Sequence, residues 1–139
     1  MEREEIHVSA ATGGGQTGRS ARRAVRRLLG DVPITFVRDA LLLTSELTTN
    51  ADTHGGGVLG VDASFDTELV QLWVCVSDGV TDVPALAPRS GAVGGLGLQL
   101  VERLADRWGW TRRDIGKSVW FELSDHAREL GPPRAPSPR

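Results

Sequence analysis

The run Leu41–Gly55, LLLTSELTTNADTHG, is the stretch that most restricts what this chain can fold into. Leu41, Leu42, Leu43, Leu47 and Ala51 recur at helical spacing, and neither Pro nor Gly interrupts before Gly55. The pattern predicts a long helix opened by Asp31-Val32-Pro33, with Pro33 in its first turn, and ended by Gly55-Gly56-Gly57. Glu46 and Asn50 are four residues apart, so they leave the same helix face about one turn from each other. Asp39 and Thr53 continue that polar side. A carboxylate and a carboxamide so placed can hold a hydroxyl or a water beside an oxygen-coordinated Mg²⁺. A solvated helix face would show the same pair, so other segments must decide between the two.

The flanking segments give the expected order of elements. Ile6–Ser9 is predicted as a short edge strand, Thr12–Gly18 as a flexible connection, and Ser20 as the N-cap of a helix ending near Gly30. In that helix Ala21, Ala24, Val25 and Leu28 form an apolar stripe, while Arg19, Arg22, Arg23, Arg26 and Arg27 form a basic one. After the long helix, Val58–Phe65 and Leu69–Ser77 read as antiparallel strands joined by a turn at Asp66-Thr67-Glu68. Gly79–Gly95 holds Pro84, Pro88, Gly91 and Gly94 with little periodicity, and a connection of that length suits a lid or binding loop. Leu98–Arg107 is predicted as a helix with Leu98, Val101, Leu104 and Ala105 inward. Trp108-Gly109-Trp110 then leads to a last strand at Ser118–Leu123. Residues 1–130 are expected to form one domain, and 131–139, GPPRAPSPR, a disordered Pro-rich tail.

Two more segments add chemistry to the helix pair. Val74–Gly79, VCVSDG, places Asp78 at the exit of a buried strand, where a carboxylate must find donors or stay wetted. An adenine exocyclic amine is a suitable donor, and Gly79 lets a ring approach the backbone. Gly94-Gly95-Leu96-Gly97-Leu98 stands where the lid enters a helix, so backbone N–H groups can converge there on an anion. Each motif alone is weak. Their order is more specific: E-x-x-x-N on a helix, a strand ending in Asp, a long lid, then G-x-G opening a helix.

In that order the chain resembles the GHKL (Bergerat-fold) superfamily of ATP-binding domains, and within it the small anti-sigma-factor serine kinases. ELTTNADTHG is similar to their N-box, VSDG to their first glycine box, GGLGLQLVERLADRWGW to their second, and GKSVWFEL to the strand that closes the adenine pocket. The resemblance spans Leu41–Leu123 and implies a two-layer α/β (α+β) sandwich, with helices on one face of a mixed, largely antiparallel sheet. It implies that Asn50 ligates Mg²⁺, that Asp78 and Gly79 meet the adenine, and that Gly95, Leu96, Gly97 and Leu98 wrap the phosphates of ATP. By the same resemblance Ser118 stands near the base and Glu46 is the general base. The implied activity is a serine kinase that binds a sigma factor and phosphorylates an anti-anti-sigma (STAS-type) partner. It leaves a homodimer open, with the Arg19–Arg27 face as one surface for it. The chain departs from the pattern at Val80 in the first glycine box and at Val93 before the second, where Arg89 is the nearest lid cation; His54 matches the N-box histidine.

Two other readings compete. One is a module of the same fold that serves interaction and transfers little or no phosphate. The other takes Gly13–Ser20, GGGQTGRS, as a P-loop, with arginine where the motif has lysine. Composition narrows the rest. A chain of 139 residues with 40% hydrophobic content can bury a core unaided, and its one cysteine, Cys75, excludes an internal disulfide framework. A net charge of −2 gives no general attraction to nucleic acid, and neither a signal peptide nor a membrane span is evident, so the cytoplasm is expected. Of 16 basic residues only Lys117 is lysine, an imbalance that suits codon bias in a GC-rich genome.

Overall fold

The computed structural model describes residues 3–9, 16–80 and 95–125. Arg89 and Val93 in the lid, Gly13–Gly15 and the Pro-rich tail lie outside the described residues. The elements run β1 (Arg3–Ser9), α1 (Gln16–Leu29), α2 (Ile34–His54), β2 (Val58–Asp66), β3 (Gln71–Asp78), α3 (Gly95–Leu104), β4 (Arg107–Arg112) and β5 (Lys117–Ser124). The strands form one five-stranded sheet in the order β1-β2-β3-β5-β4, and every pairing among them is antiparallel. The mixed sheet that the motifs imply is therefore antiparallel throughout its described strands. β1 is an edge strand, as expected for Ile6–Ser9, and it begins earlier, at Arg3.

Alternation along the strands assigns the two faces of this sheet. Val61, Ala63 and Phe65 of β2, Leu72, Val74 and Val76 of β3, and Val119, Phe121 and Leu123 of β5 are buried on one side. That side packs against the helices: α1 lies over β1 and β2, and α2 over β3. Along α2, Phe36, Val37, Ala40, Leu43, Thr44, Leu47 and Ala51 are buried at steps of three and four, as one face of a helix requires. Full burial of side chains such as Phe36, Leu43 and Leu72 stabilises the fold by about 1.5–3 kcal/mol each. The two buried threonines of α2 satisfy their hydroxyls locally, Thr44 Oγ1 donating to Ala40 O at 2.8 Å and Thr48 Oγ1 to Thr44 O at 3.0 Å.

Several boundaries differ from expectation, α3 for instance ending at Leu104 and not Arg107, and three of the differences have a local reason. α1 begins at Gln16, so Ser20 is an interior residue and not an N-cap; Gly18 is buried, and a Cβ there would come within 3.2 Å of Thr48 Oγ1 on α2. The turn after β2 extends to Val70, because Asp66 Oδ1 accepts the N–H groups of both Glu68 and Leu69 at 3.0 Å. α3 begins three residues earlier than predicted, at Gly95. The glycines of the second glycine box thus belong to its first turn, whose N–H groups have no partner within the helix.

Candidate functional site

The C-terminal end of α2, the exit of β3 and the start of β5 meet at one end of the sheet. Gly79 N–H donates to Gly55 O at 3.0 Å, tying the strand exit to the residue that caps α2. Asp78 lies directly over Gly55, where an added Cβ would fall 2.4 Å from Asp78 Oδ2. Gly55 has an ordinary φ of −105°, so its need for glycine is steric and not conformational. Gly116 holds the other flank: its φ is +80°, and a Cβ would overlap the carbonyl oxygen of Asp78. The acid is therefore enclosed by two positions that admit no side chain.

Asp78 is 2% exposed, and both of its oxygens have partners. Oδ1 accepts Val80 N–H at 3.0 Å, and Oδ2 pairs with Lys117 Nζ at 3.0 Å. Lys117 is 3% exposed and also donates to Val80 O at 3.1 Å. The arrangement is a buried ion pair closed through the backbone of Val80.

One turn before Gly55, Asn50 is 8% exposed, and its Oδ1 has no hydrogen-bond partner among the described residues. An orphaned amide oxygen in a buried position is uncommon and calls for a ligand. A hard cation that takes its remaining ligands from water and phosphate oxygens fits such a donor. Glu46 is partly buried one turn earlier on the same helix. Among the described residues no three His, Cys, Asp or Glu side chains converge as a metal cage. His54, in the last turn of α2, is exposed.

The sequence-predicted residues divide into two groups. Glu46, Asn50, Asp78 and Gly79 are carried on α2 and the β3 exit that Gly55 joins. Gly95, Leu96, Gly97 and Leu98 form the first turn of α3, which packs against α2; the Leu98 side chain is fully buried in the core, so only its backbone can face an anion. Ser118 does not join this group. Successive strand residues point to opposite faces, so Ser118 is turned away from Asp78, and its Oγ instead lies 2.9 Å from Ser77 Oγ and accepts from Arg113 Nη1 at 3.0 Å. The residue that pairs across the ladder with Asp78 is Lys117. The P-loop reading finds no support in this geometry, because Gln16–Ser20 is already helical and, among the described residues, β1 pairs with β2 alone, antiparallel.

These elements have a counterpart among solved structures. The chain aligns with the histidine kinase domain of the blue-light activated histidine kinase from Erythrobacter litoralis EL346 at a TM-score of 0.54 and 21% identity, over 88% of this chain and 69% of that one. The fold is histidine-kinase-like. No family model and no curated protein matches the chain. The histidine-kinase-like fold agrees with the α+β layering and helix placement implied by the GHKL resemblance.

Within this histidine-kinase-like fold the residues that motif reading missed are Lys117, Gly55 and Gly116. Two signals for Lys117 were present in the sequence. It is the only lysine in a chain of arginines, and it has the same parity as the apolar Val119, Phe121 and Leu123, which fixes it to the helix-covered face.

Proposed function

We propose that the chain is an ATP- and Mg²⁺-binding regulatory domain that phosphorylates a serine of an anti-anti-sigma (STAS-type) partner and also binds a sigma factor. The observation that carries the nucleotide reading is the buried Oδ1 of Asn50, without a partner among the described residues and one helical turn from Glu46 on α2. Asn50 would hold Mg²⁺, which supplies charge neutralisation for the phosphates. Asp78, followed by the exposed Gly79, would accept the amine of the adenine. The N–H groups that open α3 at Gly95, Leu96, Gly97 and Leu98 would take the phosphate oxygens. Glu46 would accept the proton of the attacking serine hydroxyl as the γ-phosphoryl group passes to that oxygen and ADP leaves. The choice of substrate and of sigma factor rests on the motif resemblance.

Calorimetric titration of ATP, with and without Mg²⁺, into the native chain and Asn50→Ala tests the site. Asn50→Ala is expected to remove the Mg²⁺-dependent part of the affinity, and equal affinities would refute the metal assignment. Glu46→Gln is expected to retain binding and lose about 10²–10⁴-fold in transfer to a STAS partner. A second reading, an interaction module with no transfer, is favoured by one feature: the acid that should meet the base is already paired to Lys117. ATP binding without phosphorylation of any STAS partner would select it.

A further inference from the structure

The pairing of Asp78 with the chain's single lysine is unexplained by packing alone. Burying an ion pair is close to neutral for stability at best, because desolvation of both charges offsets their attraction. Fifteen of the sixteen basic residues are arginine, yet this position carries the compact ammonium and not the planar guanidinium. Lys117 has three N–H donors; one is directed to Asp78 Oδ2 and one to Val80 O. The third meets no acceptor among the described residues. Next to it, Oδ2 retains a lone pair, because a carboxylate accepts at about four sites. The pair therefore offers an acceptor and a donor side by side, 3.0 Å apart. Gly79 is exposed, and among the described residues a Cβ there would meet only Gly55 O at 3.8 Å, so that flank is open to a flat ring.

We infer that Lys117 is a specificity-determining residue that reads the base together with Asp78, its ammonium donating to adenine N1 while Oδ2 accepts from the adenine amine. The inference rests on the nucleotide reading of this site and deepens it. Adenine carries one donor beside one acceptor on that edge, which matches the pair. Guanine presents two adjacent donors on that edge, so its N1–H would face the Lys117 ammonium, donor against donor. Lys117 thereby favours adenine over guanine, in the role near the base that the motif resemblance gives to Ser118.

The test compares ATP, 1-deaza-ATP (a C–H in place of N1) and GTP, each with Mg²⁺, by direct binding to the full chain. Native protein is expected to bind ATP about tenfold or more above 1-deaza-ATP, the loss of one charge-assisted hydrogen bond, and GTP more weakly than ATP. Lys117→Met is expected to weaken ATP and to bind ATP and 1-deaza-ATP alike. Equal affinity of native protein for ATP and 1-deaza-ATP overturns the inference, as does GTP binding as tightly as ATP. If Lys117→Met binds ATP as tightly as native or tighter, the lysine is a plug and not a reader. Native protein that binds ATP in none of these titrations removes the nucleotide reading itself, a different result from ATP binding without N1 discrimination. The analogue comparison uses native protein, so it decides the matter even where Lys117→Met does not fold.

Discussion

The two faces of the sheet, compared at a single rung of the β3–β5 ladder, carry opposite chemistry. Ser77 pairs with Ser118 and Asp78 with Lys117, one residue apart in each strand. On the helix-covered face stand two full charges, buried and held against glycine backbone. On the other face two hydroxyls bond each other at 2.9 Å and receive Arg113, at the edge of a cavity of about 530 Å³ that His7, Asp62, Leu59 and Ile115 also line. At this rung the outer side is satisfied from within: His7 Nδ1 bonds Asp62, Arg113 bonds both serines, and each serine has the other. Among the described residues the inner side keeps an N–H of Lys117 without an acceptor and, on α2, an amide oxygen with no partner. Unused bonding capacity in a buried place points to a ligand, whereas closed hydroxyl networks point to structure. That contrast favours the inner face for the proposed site.

The largest expected effect comes from breaking the inner pair unevenly. Lys117→Met leaves Asp78 buried without its cation, and the loss of one partner of such a pair costs about 3–5 kcal/mol. Asp78→Asn combined with Lys117→Met removes both charges and is expected to recover a large part of that loss. Urea unfolding of both singles and the double forms a thermodynamic cycle, and strict additivity would show that the two side chains do not act as a unit. Next in size is Gly55→Ala. Its backbone φ of −105° suits alanine, but the methyl would meet Asp78, so overpacking of about 1–3 kcal/mol is expected. Nucleotide affinity should fall with it, since Asp78 must move. A Gly55→Ala protein of native stability and native affinity would mean that the contact between α2 and the acid does not shape the site.

How much of this was legible beforehand follows from what each pattern encodes. The long helix was legible because its apolar positions keep one period over many turns and its end is marked by three glycines. The placement of Glu46 and Asn50 on one helix and of Asp78 at a strand exit was legible because helical spacing and strand ends are local properties. The start of α1 was not, since the helix extends back through Gln16-Thr17-Gly18 by packing Gly18 on Thr48, a tertiary contact. Which of Lys117 and Ser118 shares a face with Asp78 depends on the strand's facing, which a motif match does not encode. A shift of one residue turns a side chain to the other face, and alternation with Val119 and Phe121 is the local signal for it.

A smaller change sharpens the outer side of the comparison. Ser118→Ala removes the bonds to Ser77 and from Arg113, whose guanidinium still reaches Ser77 at 3.3 Å, and is expected to cost about 0.5–1.5 kcal/mol, while ATP affinity stays at the native value. If Ser118→Ala weakened ATP and Lys117→Met did not, the two faces would have to exchange roles.

The smallest effect concerns Cys75, on the same outer face. Burial pushes its thiol above the ordinary value of 9.0, the nearby Asp62 carboxylate adds to the rise, and a hydrogen bond with Ser118 and the Arg113 charge oppose it. The folded protein therefore holds this proton after the unfolded chain has lost it. Below pH 9 both states are protonated and stability does not respond to this group. As pH rises past the ordinary thiol value the unfolded chain binds fewer protons, and stability declines until the folded thiol also ionises. Cys75→Ala should remove that shallow decline, seen as a gap between native and variant denaturation midpoints that narrows above pH 9. In parallel, native Cys75 should react with iodoacetamide more slowly than the urea-unfolded chain at the same pH, because the thiolate is the nucleophile and burial also restricts access. Equal rates would mean that the outer face opens at Cys75, and that its hydroxyl network is not the closed structural layer that the comparison requires.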